Sequence, residues 1–225
     1  MTQRVGDVPE RIEQPERPPL AEQVEIARRI EEAEEFKPEQ LRKASEVPLP
    51  EVQGFEQSGL MTNQEVQEYL SEAFPPEHVN PESLKSVEYV DMYLPHEDGN
   101  VLGATEYNPF TGTSEIEIYR QEPDGNFDRS EMERTITHEV GHSVYYDIGW
   151  HELSPSQQAW EELSANSAPD EYVSEYAKTN LQEDFAESYA TYIHDPELLQ
   201  EVSLEKYEFM RDHIFHGREY QWSRS

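Results

Sequence analysis

Within Glu131–Tyr146, which reads EMERTITHEVGHSVYY, His138, Glu139 and His142 stand in the order H-E-x-x-H. Four residues make just over one helical turn, so on a helix the two imidazoles share a face and can each offer a nitrogen to one zinc ion. Glu139 follows the first histidine directly. Its carboxylate then falls beside such a metal rather than on it, where a base must stand to take a proton from a coordinated water. The neighbourhood has helical character: Ile136, Val140 and Val144 form an apolar ridge, and Ser130 with Glu133 three residues on reads as a capping box.

A catalytic zinc site needs a third protein ligand and an open position for water. The stretch Glu175–Tyr192, EYAKTNLQEDFAESYATY, can supply the ligand. Phe185, Tyr189 and Tyr192 recur at helical spacing, and Glu183 and Glu187 lie four apart on one face. One of these carboxylates can complete the metal site while the other hydrogen-bonds a ligand histidine from behind. Asp184 sits about 100° around the helix from Glu183 and is expected to be dispensable.

The H-E-V-G-H of residues 138–142, the Y-A-K-T-N of residues 176–180 and the E-D-F-A-E of residues 183–187 together resemble the catalytic domain of anthrax lethal factor and its relatives. These are the lethal-factor-like zinc peptidases, gluzincins that include the clostridial Pro-Pro endopeptidases. The resemblance implies His138, His142 and Glu183 as ligands of one Zn2+ per chain and Glu139 as general base. It implies Tyr176 as a hydroxyl near the transition-state oxyanion, and Glu187 as the carboxylate that orients the His138 ring. It spans roughly residues 85–215 in layout, with its specific motifs in two short segments. It departs at Leu181 and Gln182, and residues before about 85 carry none of it. A metzincin pattern is excluded, because its third histidine position holds Ile148 and its glycine position Tyr145.

Composition narrows the partners. The 225 residues contain no cysteine, so any zinc must be held by histidine and carboxylate. The net charge of −32 argues against nucleic-acid binding by phosphate neutralisation and against anionic membrane surfaces. Residues 1–53 carry 13 acids and 8 bases, leaving 36 acids and 9 bases on residues 54–225. The catalytic part is therefore the acidic part. Five lysines against so many carboxylates resemble the surface of a halophilic protein, where salt screens self-repulsion; a negative cleft that selects cationic substrates is the competing explanation. No run approaches 18 apolar residues and the N-terminus lacks the apolar core of a signal peptide, so the chain as written reads as soluble and unexported, whereas the resemblance implies secretion.

The elements that must position these residues follow from periodicity and turn chemistry. Residues 1–53 read as a charged N-terminal extension: a proline-rich, extended start, then an amphipathic helix over Leu20–Phe36 that docks on the domain or binds a partner, then a linker at Pro48, Pro50 and Gly54. Residues 54–225 read as the catalytic domain. Thr62 to Glu65 is a capping box opening a helix to about Ala73. Strands are expected over Val87–Leu94, Asn100–Tyr107 and Ser114–Tyr119, the last two joined by the turn Pro109–Gly112. The resemblance suggests the last of these, with Ser114, Glu115, Ile116, Glu117 and Ile118, as the exposed edge along which an extended peptide lies. Helices are expected from Pro155 to about Ala165, over Leu181–Ile193, from Pro196, and over Leu204–Phe215, with Tyr176 on the loop between the first two. The other histidines lack ligand spacing to the zinc pair.

Together these predict an α+β zincin-like fold: a small twisted, mostly antiparallel sheet over the zinc helix, with a helical C-terminal half carrying Glu183. The expected function is zinc-dependent peptide-bond hydrolysis of a peptide or protein substrate. The alternative is a structural, virion-associated or effector-type interaction protein carrying a vestigial or partner-targeted peptidase domain.

Overall fold

The computed structural model describes residues 48–96, 99–120, 127–149 and 154–220. The helix expected over residues 20–36 lies outside them. The described chain is α+β, with one four-stranded mixed sheet, a two-stranded ribbon and a helical C-terminal half. Among the described residues no helix is long and apolar enough to cross a membrane.

The main sheet runs β1 (Glu51–Gln53), β2 (Leu84–Val90), β6 (Thr113–Tyr119), β5 (Gly103–Asn108). β1 pairs with β2 and β2 with β6 in parallel, while only β5 and β6 are antiparallel. The expectation of a mostly antiparallel sheet is thereby corrected. The hairpin turn is where the sequence places it, but β6 slots between β5 and β2 instead of lying outside. Glu51–Gln53, expected to be linker, is a strand of this sheet. The single strand expected over Val87–Leu94 divides into β2 and β3 (Leu94–His96), and the one expected from Asn100 divides into β4 (Gly99–Val101) and β5; β3 and β4 make the antiparallel ribbon.

Alternation explains the sheet's sidedness. Val87, Tyr89, Ile116 and Ile118 face the core, while Glu88, Glu115, Glu117 and Glu106 stand on the opposite face. The buried face rests on α2 (Arg129–Gly149), and α4 (Leu181–His194) packs on α2 in turn. Around them stand α1 (Asn63–Ala73), with the Thr62–Glu65 capping box formed as expected, α3 (Pro155–Ala165), α5 (Pro196–Val202) and α6 (Leu204–Phe209). The last of these widens into a π-type turn over Met210–Ile214, where the Phe215 N–H donates to the Met210 carbonyl at 2.8 Å, rather than continuing as one α-helix.

α2 begins two residues earlier than a Ser130 cap would allow. The Asp128 carboxylate accepts from the N–H groups of Ser130 (2.8 Å) and Glu131 (3.2 Å), so Asp128 is the cap. The core between α2, α3 and α4 is aromatic: Trp160, Phe185, Tyr189, Tyr192 and Phe215 are fully or almost fully buried. Trp160 also donates its indole N–H to the Leu181 carbonyl at 3.1 Å, which fixes where α4 starts.

Candidate metal centre

His138 and His142 project from the middle of α2, and Glu183 and Glu187 from the facing side of α4. The two helices come close because Gly141, between the histidines, has no side chain. A Cβ there would stand 3.1 Å from the Ala186 Cα and 3.2 Å from the Tyr189 ring. The first turn of α4 is held by Asn180, whose side chain accepts from the N–H groups of Gln182 (2.9 Å) and Glu183 (3.0 Å). Glu183 is therefore presented from a capped helix end.

Three donor atoms converge. His138 Nε2 and His142 Nε2 are 3.1 Å apart, and Glu183 Oε2 lies 3.1 Å from the first and 3.2 Å from the second. Among the described residues this is the one group of three or more histidine or acidic side chains able to hold a metal ion. Tetrahedral zinc with bonds of about 2.0–2.1 Å needs its ligand atoms roughly 3.3 Å apart, so the triangle has the required size. The donor set, two imidazoles and a carboxylate, also suits zinc.

Behind the triangle, His138 Nδ1 donates to Glu187 Oε1 at 2.8 Å, which leaves Nε2 free to ligate. Nδ1 of His142 is buried without such a partner. The second oxygen of Glu187 accepts from the Ser174 hydroxyl at 2.8 Å and faces Arg134 Nη2 at 3.7 Å. These contacts hold Glu187 ionised against burial, which alone would raise its pKa. Burial likewise works to raise Glu183, but the two imidazoles outweigh it and bring its pKa down to about 2. For His138, burial favours the neutral ring, and Glu183 and Glu187 overcome it, pushing the metal-free imidazole up to about 9.

Glu139 is 5% exposed and lies against the sheet. The Thr105 hydroxyl of β5 lies 2.8 Å from its Oε2 and 2.9 Å from its carbonyl oxygen. On the same strand Gly103 makes room for the carboxylate, since a Cβ there would be 2.7 Å from Glu139 Cγ and Oε1. Burial raises the Glu139 pKa, partly countered by His138 and His142. The carboxyl is thus shifted toward being able to hold a proton it has received.

Tyr176 opens a 3-10 turn, Tyr176–Lys178, just before α4. Its ring centre is 5.9 Å from that of His138. Burial, then the charges of Glu183 and Glu139, push its hydroxyl up to about 12, so it remains a proton-bearing donor near neutrality.

The structure therefore brings together His138, Glu139, His142, Tyr176, Glu183 and Glu187. It separates the residues expected as a substrate edge. Ser114, Glu115, Ile116, Glu117 and Ile118 lie in β6, which is flanked on both sides, and Glu115 and Glu117 point to the sheet face away from α2. β5 is the edge strand, and no other described strand pairs with its outer side. The reason is physical: GATEYN of β5 is the more polar strand and tolerates the edge, whereas Ile116 and Ile118 need cover on both sides.

Asp184 is not dispensable surface. It is fully buried and accepts from the equally buried Lys206 Nζ at 2.7 Å. Sequence reading passed over Thr105, Gly103, Ser174 and Arg134. Of the supporting residues only Asn180, a favoured cap type directly before an apolar helix, carried a local signal.

Compared with family models, with curated proteins and with solved structures, the chain finds no match in any of the three.

Proposed function

We propose that the chain is a zinc-dependent endopeptidase of zincin type. The observation that carries the proposal is the convergence of His138 Nε2, His142 Nε2 and Glu183 Oε2 within 3.1–3.2 Å of one another, with the buried Glu139 carboxylate alongside. A bound zinc supplies Lewis acidity and lowers the pKa of water in its open position. Glu139 accepts the proton of the attacking water and returns it to the leaving amine, a role its raised pKa suits. Glu187 holds the His138 ring in the tautomer that ligates. Tyr176 donates its hydroxyl to the developing oxyanion. The outer edge of β5, which passes directly over Glu139 through Gly103 and Thr105, offers backbone groups to an extended peptide.

The test is metal analysis of purified protein combined with cleavage of an unbiased peptide library, at low salt and at molar salt. One zinc per chain, and cleavage that is lost on chelation and regained with zinc, is the expected result. Full activity from metal-free protein, or a zinc-loaded protein that cleaves nothing at either salt, defeats the proposal.

A further inference from the structure

We propose that Ser174 is a positioning residue for Tyr176, fastening the segment that carries this hydroxyl to the carboxylate that orients His138. Its catalytic consequence rests on the peptidase reading; its structural consequence does not.

Tyr176 is 55% exposed, so packing does little to fix its ring. The next residue, Ala177, is fully buried, and its backbone N–H donates to the Ser174 hydroxyl oxygen at 3.0 Å. The Ser174 hydroxyl in turn donates to Glu187 Oε2 at 2.8 Å, and Glu187 Oε1 accepts from His138 Nδ1 at 2.8 Å. One hydroxyl thus completes a path from the imidazole to the backbone beside Tyr176. The upstream part of the segment is fixed separately. Tyr172 donates to the Ser164 carbonyl at 3.1 Å, and its ring lies 3.9 Å from the Lys206 ammonium. Between Tyr172 and the cap at Asn180, Ser174 is the side chain that ties the backbone of this segment to Glu187, while the Tyr176 hydroxyl bonds Glu183 directly.

Arg134 near the same oxygen separates the role of Ser174 from that of Glu187. With Arg134 in place, Glu187 keeps a cationic partner when Ser174 is lost, and His138 stays oriented. Removing the hydroxyl instead strands the Ala177 amide, a buried donor that then has reason to move. The metal should stay while Tyr176 drifts. An oxyanion contact acts only in the transition state, so the loss should appear in kcat and not in KM.

The experiment compares zinc-loaded wild type, Ser174→Ala and Ser174→Thr, each also in a Tyr176→Phe background. Readouts are zinc stoichiometry, amide hydrogen exchange at Ala177, and kinetics on a peptide selected from the library. Ser174→Ala should retain one zinc, exchange the Ala177 amide at least about tenfold faster, and lose about tenfold or more in kcat at near-constant KM, a fraction of the roughly 10²–10³ that an oxyanion donor supplies. Ser174→Thr, which keeps the hydroxyl, should restore both. In the Tyr176→Phe background Ser174→Ala should cost no further activity. Unchanged exchange at Ala177, or a kcat loss that adds fully to that of Tyr176→Phe, overturns the proposal. If wild type binds zinc and cleaves no peptide, the functional reading fails, and Ala177 exchange alone still decides whether Ser174 holds the segment.

Discussion

Helix α4 carries carboxylates on two faces, and they end in opposite circumstances. Asp184 meets Lys206 in a pair with both side chains fully buried, with the Tyr172 ring 3.9 Å from the ammonium. Glu183, one residue earlier, meets two imidazoles that also face each other, and its side chain stays 16% exposed. The first arrangement is closed, one cation against one anion with no access, and leaves only Asp184 Oδ2 without a hydrogen-bond partner. The second brings three potential ligand atoms to one point at the protein surface, a geometry that gains most from a cation the chain does not itself supply. Residue type does not separate a structural acid from a functional one here; what the carboxylate converges with does.

Three substitutions break this contrast, and the largest effect is on chemistry. Glu139→Gln preserves shape and the Thr105 contact but removes the proton acceptor, so kcat should fall by about 10²–10⁴ with one zinc per chain retained. Zinc lost from the purified variant would instead place Glu139 among the groups that hold the site together. Next comes Asp184→Ala, which strands a buried ammonium and should cost about 3–5 kcal/mol of stability in denaturant titration. The folded fraction should still bind zinc. Replacing both partners by apolar residues, Asp184→Leu with Lys206→Met, should recover most of that stability, and a double variant as unstable as the single one would show that the pair contributes more than mutual neutralisation. Third, Glu187→Ala removes the carboxylate behind His138 and should weaken zinc about 10–100-fold in competition with a chelator. An unchanged affinity would make Glu187 as structural as Asp184.

The unequal legibility of the two faces has a physical origin. The spacing of His138, Glu139 and His142 is a statement about one helix, and helical periodicity is local enough to be read from the chain. Glu183 and Glu187 are one turn apart on a second helix, and the residues alone left open which of them reaches the metal. Asp184 looked expendable because its partner stands 22 residues away on α6, and no local pattern announces a buried lysine. The same limit produced the error at the sheet. The turn at Pro109–Gly112 was legible, but whether β5 or β6 lies inside depends on pairing with β2, whose nearest residue is more than 20 positions upstream of β6. The fully buried Ile116 and Ile118 against the polar GATEYN of β5 held the answer, had burial demand been weighed above strand order.

The smallest of the expected effects uses protons to compare two sets of histidines. His78 donates and accepts only inside the core, to Tyr189 and the Ile214 carbonyl, and burial lowers its pKa to about 3; burial also lowers His194 to about 4. Both stay neutral in the folded chain at pH 6, whereas in the unfolded chain each gains a proton below about pH 6.5. Their contribution to stability is thus present above that pH and is lost as pH falls toward their folded values. His138 has the opposite sign in the metal-free protein. With its pKa at about 9, its contribution is present below about pH 6.5 and is lost as pH rises through 9. Metal-free protein should accordingly lose stability between pH 7 and 9, a window in which His78 and His194 are silent. Zinc must displace the His138 proton throughout that window, so zinc affinity should keep rising by about tenfold per pH unit from pH 7 to nearly 9. With a ligand histidine of ordinary pKa the affinity would level off near pH 7. Chelator competition at pH 7, 8 and 9 reads the slope, and a plateau would mean that Glu183 and Glu187 do not hold a proton on His138 in the metal-free state.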